Sequence, residues 1–224
     1  MRRVTDRARM AEAWDALAAE DAMFYIDTAR PDWTIDAFLE SGKELVEWAV
    51  AWAQPRRGRA LDLGCGLGRH SRHLAARFER VDALDISAEM IERAGGLGHP
   101  DSIHFALLEG DRYPVESNSI DFAMSFLVFQ HIPEPADVGN HLKEIRRVLA
   151  DGGRAVLHFD TGGHSLLRSL ALRLPDRLLP PTRRRFMRRY PLTEKQVREL
   201  CETASLTIVE ERALDARSLF VLAE

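Results

Sequence analysis

The residues best suited to chemistry lie around a glycine-rich turn in the stretch ALDLGCGLGRHSRHL, from Ala60 to Leu74. A short apolar run precedes Gly64, Gly66 and Gly68, and a segment with helical spacing follows them. Glycines directly after a buried strand let the backbone approach a ligand closely, and open α/β sheets bind ligands at such strand-to-helix turns. The stretch therefore predicts a ligand site.

The spacing of the glycines excludes two common nucleotide sites. The GxGxxG fingerprint of dinucleotide folds fails because Arg69 stands three residues after Gly66. A P-loop of the form GxxxxGK[ST] fails because no Lys follows the glycines. Asp85 ends the next predicted strand, where nucleotide folds place the carboxylate that binds the ribose hydroxyls. The pattern predicts a nucleoside-like ligand that needs no pyrophosphate.

A second set of polar residues follows the predicted fourth and fifth strands: Gln130 and His131 after the fourth, and Asp160 after the fifth. In a parallel sheet these ends open toward the same edge as the glycine turn. An imidazole can accept the proton of a hydroxyl group, and a carboxylate can orient the imidazole. His131 and Asp160 are therefore candidate catalytic residues, and a structural role for His131 in its turn is the alternative.

The other reactive side chains predict no site. The two cysteines, Cys65 and Cys201, form no CxxC pair, so neither a zinc site nor a disulfide framework is expected. Cys65 is interpreted as a small buried residue between glycines. Five further histidines are expected to be solvated or to have structural hydrogen bonds: His70, His73, His99, His104 and His141.

Predicted strands and helices alternate along the centre of the chain. The strands are 60–63, 81–85, 103–108, 120–126 and 154–159, and the helices are 69–78, 88–94 and 135–149. This alternation of apolar strands with helices indicates a parallel sheet covered on both faces. Beyond a helix that Thr193 begins, a tight turn joins strands 206–212 and 218–222, which must therefore be antiparallel. The predicted class is α/β, Rossmann-like and mostly parallel.

Two segments lie outside this alternation. Helical spacing over residues 14–18 and 35–52, interrupted at Arg30 and Pro31, predicts a helical unit over residues 1–54 that precedes a main domain of residues 55–224. Between Thr161 and Pro191, eight arginines accompany one acidic residue. This basic segment is either a solvated surface or a site for an acidic molecule, a phosphate group or an anionic membrane.

Composition limits the class of protein. A chain of 224 residues that is 46% hydrophobic can bury the core of one large domain. Charges occur throughout the amino-terminal residues, and no uncharged run approaches the roughly 20 residues of a membrane span. We therefore expect a soluble cytoplasmic protein. The sequence does not predict its oligomeric state.

Four motifs, in order, resemble those of class I methyltransferases dependent on S-adenosylmethionine, in the small-molecule branch called methyltransferase type 11 or UbiE-like. LDLGCGLGR resembles the first motif, LDALDIS the second and IDFAMSFLVFQHIP the fourth-strand motif. LKEIRRVLADGGRAVLHF resembles the helix, glycine turn and fifth strand that follow. The likeness covers residues 60–160 closely and 193–223 by architecture. It implies a seven-stranded sheet with an antiparallel last strand, and S-adenosyl-L-methionine as cofactor.

The resemblance also implies individual contacts with the cofactor. The residues expected at its methionine part are Asp62, Gly64, Cys65 and Gly66. Asp85 is expected at the ribose, and Ile86 and Met90 at the adenine. An acidic residue is also expected to bind the adenine, in a pattern of Asp then Gly before a Pro, and this sequence departs from that pattern before Pro114. Glu109 with the Gly110 amide is favoured over Asp111 for this contact. Phe126 and Tyr25 complete the predicted contacts, and no metal ligand is predicted.

Methyl transfer to a small molecule is the activity that the resemblance implies. We favour a hydroxyl acceptor, with methylation of nitrogen or carbon, or a cofactor-binding module without catalysis, as alternatives. Nucleic acid is not an expected partner, because the NPPY-like signature of base methylation is missing after the fourth strand. In the family, segments before the first strand and after the fifth often cover the site. Residues 1–54, which include Tyr25, are therefore expected to form a lid or simply to pack against the main domain. Residues 161–191 are expected to cap an acidic or phosphate-bearing substrate. Membrane contact is not expected.

Overall fold

The computed structural model describes residues 2–28, 30–162 and 187–224, with side chains from residue 7 onward in those ranges. The helices are α1 (Arg2–Ile26), α2 (Ile35–Glu40), α3 (Lys43–Ala53), α4 (Arg69–Ala75), α5 (Ala88–Gly95), α6 (Pro135–Val148) and α7 (Glu194–Thr203). The strands are β1 (Arg59–Leu63), β2 (Arg80–Asp85), β3 (Ile103–Leu107), β4 (Ile120–Ser125), β5 (Leu149–Asp160), β6 (Ile208–Ala213) and β7 (Ser218–Ala223).

Within the described residues, these seven strands form one sheet in the order β3-β2-β1-β4-β5-β7-β6. The first five strands are mutually parallel, and β7 is antiparallel to both of its neighbours. The chain runs outward from β1 to β3 and then returns to place β4 on the other side of β1. A ligand crevice is expected at this reversal of strand order. The predicted fold class is confirmed.

Helices cover both faces of the sheet because successive side chains of a strand point to opposite faces. Ala60 belongs to the core that includes Val46 of α3 and Leu74 of α4. Its neighbour Leu61 belongs to the core that includes Leu142 of α6. Burial of these apolar residues on both faces fixes the carboxyl ends of the parallel strands at one edge.

Helix α1 lies against α5, beside that edge. It is kinked at Asp21, whose Oδ1 accepts the Phe24 N–H at 3.1 Å and so caps the second half of the helix. Asp15 Oδ1 accepts hydrogen bonds from Ser87 Oγ at 2.6 Å and from the Glu89 N–H at 3.1 Å. An α1 side chain therefore binds the first turn of α5, where the helix dipole favours a carboxylate.

Several boundaries differ from the predictions. The helix predicted at 35–52 is two helices, because Ser41 Oγ donates to the Phe38 carbonyl at 2.6 Å and ends α2 before Gly42. α4 ends at Ala75, three residues before its predicted end. β5 begins at Leu149, so the glycine turn that was predicted before this strand is part of the strand. A short 3-10 helix, Phe129–His131, was not predicted, because three residues are too few to show a periodicity.

The basic segment predicted at 161–191 lies outside the described residues except at its two ends. In the part of the chain that the structure describes, no helix has the length and apolar character needed to cross a bilayer.

Candidate active site

A cavity of about 900 Å³ lies at the carboxyl ends of the central strands. Its volume is in the range of sites that enclose a small organic ligand. Nine residues that the sequence predicted at the site line this cavity: Tyr25, Gly64, Cys65, Gly66, Asp85, Ile86, Met90, Phe126 and His131. Residues of α1 contribute to the lining as well, including Arg7 and Trp14.

The glycine turn after β1 forms one wall of the cavity. Gly64 and Gly66 have φ angles of +74° and +52°, which residues with a Cβ rarely adopt. A Cβ on Gly66 would lie 2.8 Å from Cδ1 of Ile26, and one on Gly64 would clash with Val128. The N–H groups of Gly64 and Cys65 both donate to the Leu84 carbonyl, at 2.7 and 3.0 Å. Glycine is thus needed at two positions of the turn.

Asp85 ends β2 beside this turn. Its Oδ2 accepts the Gly66 N–H at 2.8 Å, and its Oδ1 accepts the Ser87 N–H at 2.9 Å. Burial raises the pKa of the Asp85 carboxyl, against the opposing effect of these backbone hydrogen bonds. An ionised carboxylate has about four acceptor positions. Asp85 therefore retains acceptors for hydroxyl groups of a ligand.

Asp62 and Cys65 differ in their access to the cavity. Asp62 is 1% exposed and does not belong to the described lining. Its Oδ2 accepts a hydrogen bond from Ser71 Oγ at 2.6 Å, which ties β1 to α4. Burial raises the pKa of the Asp62 carboxyl to about 6. Burial also raises the pKa of the Cys65 thiol well above its usual value, so this thiol is not a nucleophile at neutral pH.

His131 lies at the end of the 3-10 helix after β4. Its ring packs edge-to-face on Trp14 of α1, with the centroids 5.3 Å apart. The side-chain amide of Gln130 lies 3.0 Å from His131 Nε2. These contacts place an imidazole in the cavity wall, after the strand that is paired with β1 and its glycine turn.

Asp160, the other predicted catalytic residue, is 3% exposed and is not among the described residues that line the cavity. Its Oδ1 accepts the Gly162 N–H at 2.9 Å, and its Oδ2 lies 3.4 Å from Nη1 of Arg189. Arg217 Nη2 is 3.7 Å from the same oxygen. The described side-chain partners of Asp160 are thus arginines, and its role in orienting His131 stays a prediction.

Residues 61–157 match the family model described as Methyltransferase domain. Residues 61–157 are a class I S-adenosylmethionine-dependent methyltransferase domain. The predicted enzyme class is thereby confirmed, together with S-adenosyl-L-methionine as its cofactor.

Two curated proteins are similar to parts of this methyltransferase. Malonyl-[acyl-carrier protein] O-methyltransferase of Erwinia billingiae is 33% identical over 147 residues, which cover 65% of this chain and 54% of that protein. Biotin biosynthesis bifunctional protein BioHC of Cellvibrio japonicus is 35% identical over 116 residues, which cover 52% of this chain and 22% of that protein. The chain therefore spans about a fifth to about half of the length of these relatives.

The fold is shared with solved methyltransferases. Magnesium protoporphyrin IX methyltransferase from Synechocystis PCC 6803, solved with bound SAH, is 17% identical and has a TM-score of 0.69. The likeness covers 97% of this chain and 98% of that one. At this identity it shows a common fold alone.

The residues of the methyltransferase cavity fit the cofactor. Glycine at positions 64 and 66 lets the turn keep the backbone conformation that lines the cavity, because a Cβ there would meet Val128 or Ile26. The approach of this backbone to the methionine part stays a prediction. Asp85 has acceptors for the ribose hydroxyls, and the apolar side chains of Ile86 and Met90 line the cavity nearby. Direct contact of Asp62 with the methionine part stays a prediction, because the described contact of its carboxylate is with Ser71.

The residues predicted to read the adenine lie outside the described lining. Glu109, Gly110 and Asp111 are exposed, and their neighbour Leu108 lines the cavity. Arg7 of α1 donates from Nη2 to the Leu108 carbonyl at 2.7 Å, and its Nη1 lies 3.5 Å from Asp111. Recognition of the adenine by Glu109 stays a prediction.

Some lining residues of the methyltransferase were missed. His70 and His141 were expected to have only solvent or structural contacts, but both line the cavity. Burial lowers the pKa of His70 well below its usual value, so its ring is neutral. Its position directly after the glycine turn was a signal that could have indicated this. Arg189, which belongs to the basic segment predicted to cap the substrate, also lines the cavity. Arg217 lines it too, and no local pattern distinguished Arg217 from other surface arginines.

Proposed function

We propose that this methyltransferase transfers a methyl group to the hydroxyl oxygen of a small molecule that also carries an acidic or phosphate group. The observation that carries the proposal is the position of His131 in the wall of the cavity that the glycine turn and Asp85 also line. When bound, S-adenosylmethionine supplies an electrophilic methyl group. Beyond alignment, the acceptor hydroxyl then needs a group that takes its proton.

The sheet brings the acceptor and the cofactor side by side. Gly64 follows β1 and His131 follows β4, which is paired with β1 in parallel. Neighbouring strands lie about 4.8 Å apart, so a hydroxyl beside His131 would lie next to a ligand that the glycine turn holds. Asp85, at the end of β2, would fix the other end of that ligand. Positioning by these elements supplies most of the expected rate enhancement.

The side-chain amide of Gln130 lies beside the His131 imidazole and would influence its tautomer. As placed, Gln130 Oε1 is buried and has no hydrogen-bond partner among the described residues. Amide oxygen and nitrogen positions are interchangeable by rotation, and the turned amide would accept a hydrogen bond from His131 Nε2–H. In that arrangement Nδ1 keeps its lone pair. We infer that the imidazole of His131 is the general base.

The names of relatives support an oxygen acceptor. The relative from Erwinia billingiae is named an O-methyltransferase, and so is a chloroplastic tocopherol enzyme from Arabidopsis thaliana that is 30% identical over 104 residues. Tocopherol and a malonyl group differ greatly in shape and charge. The names therefore support oxygen as the acceptor atom. The acceptor molecule has to be identified by experiment.

The test is transfer of an isotope-labelled methyl group to a metabolite extract, followed by mass spectrometry. With the labelled acceptor in hand, His131→Ala and His131→Gln are compared with His104→Ala, a control at an exposed position on β3. We expect turnover about 10²-fold lower in both His131 variants, with affinity for S-adenosylhomocysteine within about twofold of the wild type.

Two outcomes would contradict the proposal. Full turnover in both His131 variants would mean catalysis by alignment alone, and a nitrogen or carbon acceptor would then explain the activity better. Binding of S-adenosylhomocysteine without any labelled product would favour a module that binds the cofactor without catalysis.

A further inference from the structure

One buried carboxylate lies between two guanidinium groups at the β5 side of the cavity. The Asp160 side chain is 1% exposed, and its Oδ2 lies 3.4 Å from Arg189 Nη1 and 3.7 Å from Arg217 Nη2. The two arginines line the cavity, and their side chains are 43% and 47% exposed. A buried anion thus fixes two cations whose outer parts remain accessible.

Separate segments bring the two arginines together. Arg217 precedes β7, whose first residue, Ser218, pairs with Asp160 in the antiparallel register. The Thr161 N–H donates to the Arg217 carbonyl at 2.7 Å. Near Arg189, the Leu192 N–H donates to the Asp160 carbonyl at 2.9 Å. Backbone hydrogen bonds at the end of β5 therefore hold both arginine-bearing segments in place.

Among the described residues, these three side chains have a net charge and N–H donors that their mutual contacts do not use. Two guanidinium groups facing one carboxylate have a net charge of +1. Asp160 engages a single nitrogen of each arginine, whereas a guanidinium carries five N–H donors. Asp85, which is expected to bind the ribose, lies three strands away in the order β2-β1-β4-β5, or about 14 Å. The positive group is therefore at the end of the cavity away from the ribose position.

We propose that Arg189 and Arg217 bind a carboxylate group of the methyl acceptor, and that Asp160 is the positioning residue that holds both guanidinium groups. The inference rests on the proposed function. A monoanion balances the net charge of +1 of these three side chains. Planar guanidinium groups also match the geometry of a carboxylate.

The placement also limits the shape of the acceptor. The His131 imidazole follows β4, and Arg217 precedes β7, two strands away or about 10 Å. Between these positions, Phe126 and Leu127 contribute apolar lining. The acceptor class that this arrangement fits is a hydroxy acid with an apolar body that separates its hydroxyl from its carboxylate.

Binding measurements test the inference without turnover. Calorimetry in the presence of S-adenosylhomocysteine compares benzoate and 4-hydroxybenzoate with benzamide, their neutral counterpart, and with phenyl phosphate. We expect the carboxylates to bind more tightly than benzamide. Arg189→Gln and Arg217→Gln should weaken carboxylate binding by at least about 10-fold, the loss of one charge-assisted hydrogen bond. Arg146→Gln on α6, outside the described lining, is the matched control and should change nothing.

A variant of Asp160 separates positioning from a merely structural role. Asp160→Asn raises the net charge of the group from +1 to +2, so phenyl phosphate should gain affinity relative to benzoate. A structural role alone would leave this ratio unchanged, and such a result would remove Asp160 from the proposal.

Three outcomes would overturn the arginine assignment. Equal binding of benzoate and benzamide would mean that no carboxylate site exists. Phenyl phosphate that binds the wild type more than about 10-fold tighter than benzoate would identify a phosphate site instead. Loss of S-adenosylhomocysteine affinity in Arg189→Gln or Arg217→Gln would assign these arginines to the cofactor. Each outcome is distinct from failure of the proposed function, which is measured by methyl transfer and by the His131 variants.

Discussion

Asp27 Oδ2 lies 2.7 Å from Nη1 of Arg69, so the residue after α1 is ion-paired with the first residue of α4. The Arg69 side chain is only 7% exposed, and its guanidinium carbon lies 5.4 Å from the centre of the Phe38 ring. Both charged residues line the cavity. We propose that residues 1–54 form a lid over the cofactor and that this ion pair fastens the lid beside the glycine turn.

Asp27→Asn should destabilise the protein, because it leaves the buried charge of Arg69 without its carboxylate. We expect the free energy of unfolding to fall by about 2 kcal/mol, and S-adenosylhomocysteine to dissociate faster through the loosened lid. Chemical denaturation and stopped-flow fluorescence measure the two effects. Glu40→Gln is the control, because it breaks an exposed ion pair with Lys43 and should reduce the free energy of unfolding much less than Asp27→Asn does. Equal losses in both variants would argue against a fastening role for Asp27.

Gly64→Ala should reduce both stability and cofactor affinity. The new alanine would have to adopt a φ of +74°, and its methyl group would overlap Val128. Gly98→Ala isolates the cost of the positive φ, since Gly98 has a φ of +63° and a Cβ there would meet no atom within 4 Å. This variant should lower the free energy of unfolding by about 1 kcal/mol. The double variant Gly64→Ala/Val128→Ala should recover part of the loss in denaturation and calorimetry. A cost in Gly98→Ala as large as in Gly64→Ala would show that Val128 plays no part.

Asp85→Asn should lower the affinity for S-adenosylhomocysteine, measured by calorimetry, by at least about 10-fold. The amide removes the negative charge that strengthens hydrogen bonds to the ribose hydroxyls. It also replaces one of the two oxygens that accept the Gly66 and Ser87 N–H groups with a donor. Asp101→Asn, at an exposed position before β3, is the control. An unchanged dissociation constant for Asp85→Asn would contradict the ribose role.

The buried His158 predicts how stability depends on pH. Burial lowers the pKa of His158 to about 4, and its Nδ1 accepts the Leu127 N–H at 3.4 Å. Between about pH 6.5 and 4 the unfolded chain binds a proton that the folded chain does not, so stability falls as the pH falls. Denaturation curves should show that the free energy of unfolding falls by about 3 kcal/mol less in His158→Gln than in the wild type over this pH range. His141, whose pKa burial also lowers to about 4, and His70, whose pKa burial lowers well below its usual value, retain part of this decrease. Identical pH slopes for the wild type and His158→Gln would contradict this account.

The sheet and half of the site could be predicted from sequence because their signals are local. Apolar runs alternate with helical spacing, and the ends of β1 and β2 are marked by a glycine and a carboxylate. Gly64 and Asp85 end neighbouring strands, so the order of strands alone brings them together. The capping box at Thr193 was equally local, and the structure contains both of its hydrogen bonds.

Contacts between distant segments were decided only by the tertiary structure. Arg7 reaches the Leu108 carbonyl 101 residues away, and Arg69 meets Asp27 across 42 residues. Arg189 and Arg217 meet at Asp160 because β7 is inserted next to β5. A surface arginine and an arginine in a cavity have the same local sequence pattern, since the difference lies in which segment packs against them. The sequence by itself therefore determined the fold and the meeting of Gly64 and Asp85 at one end of the cavity, whereas tertiary packing decided which arginines meet at its other end.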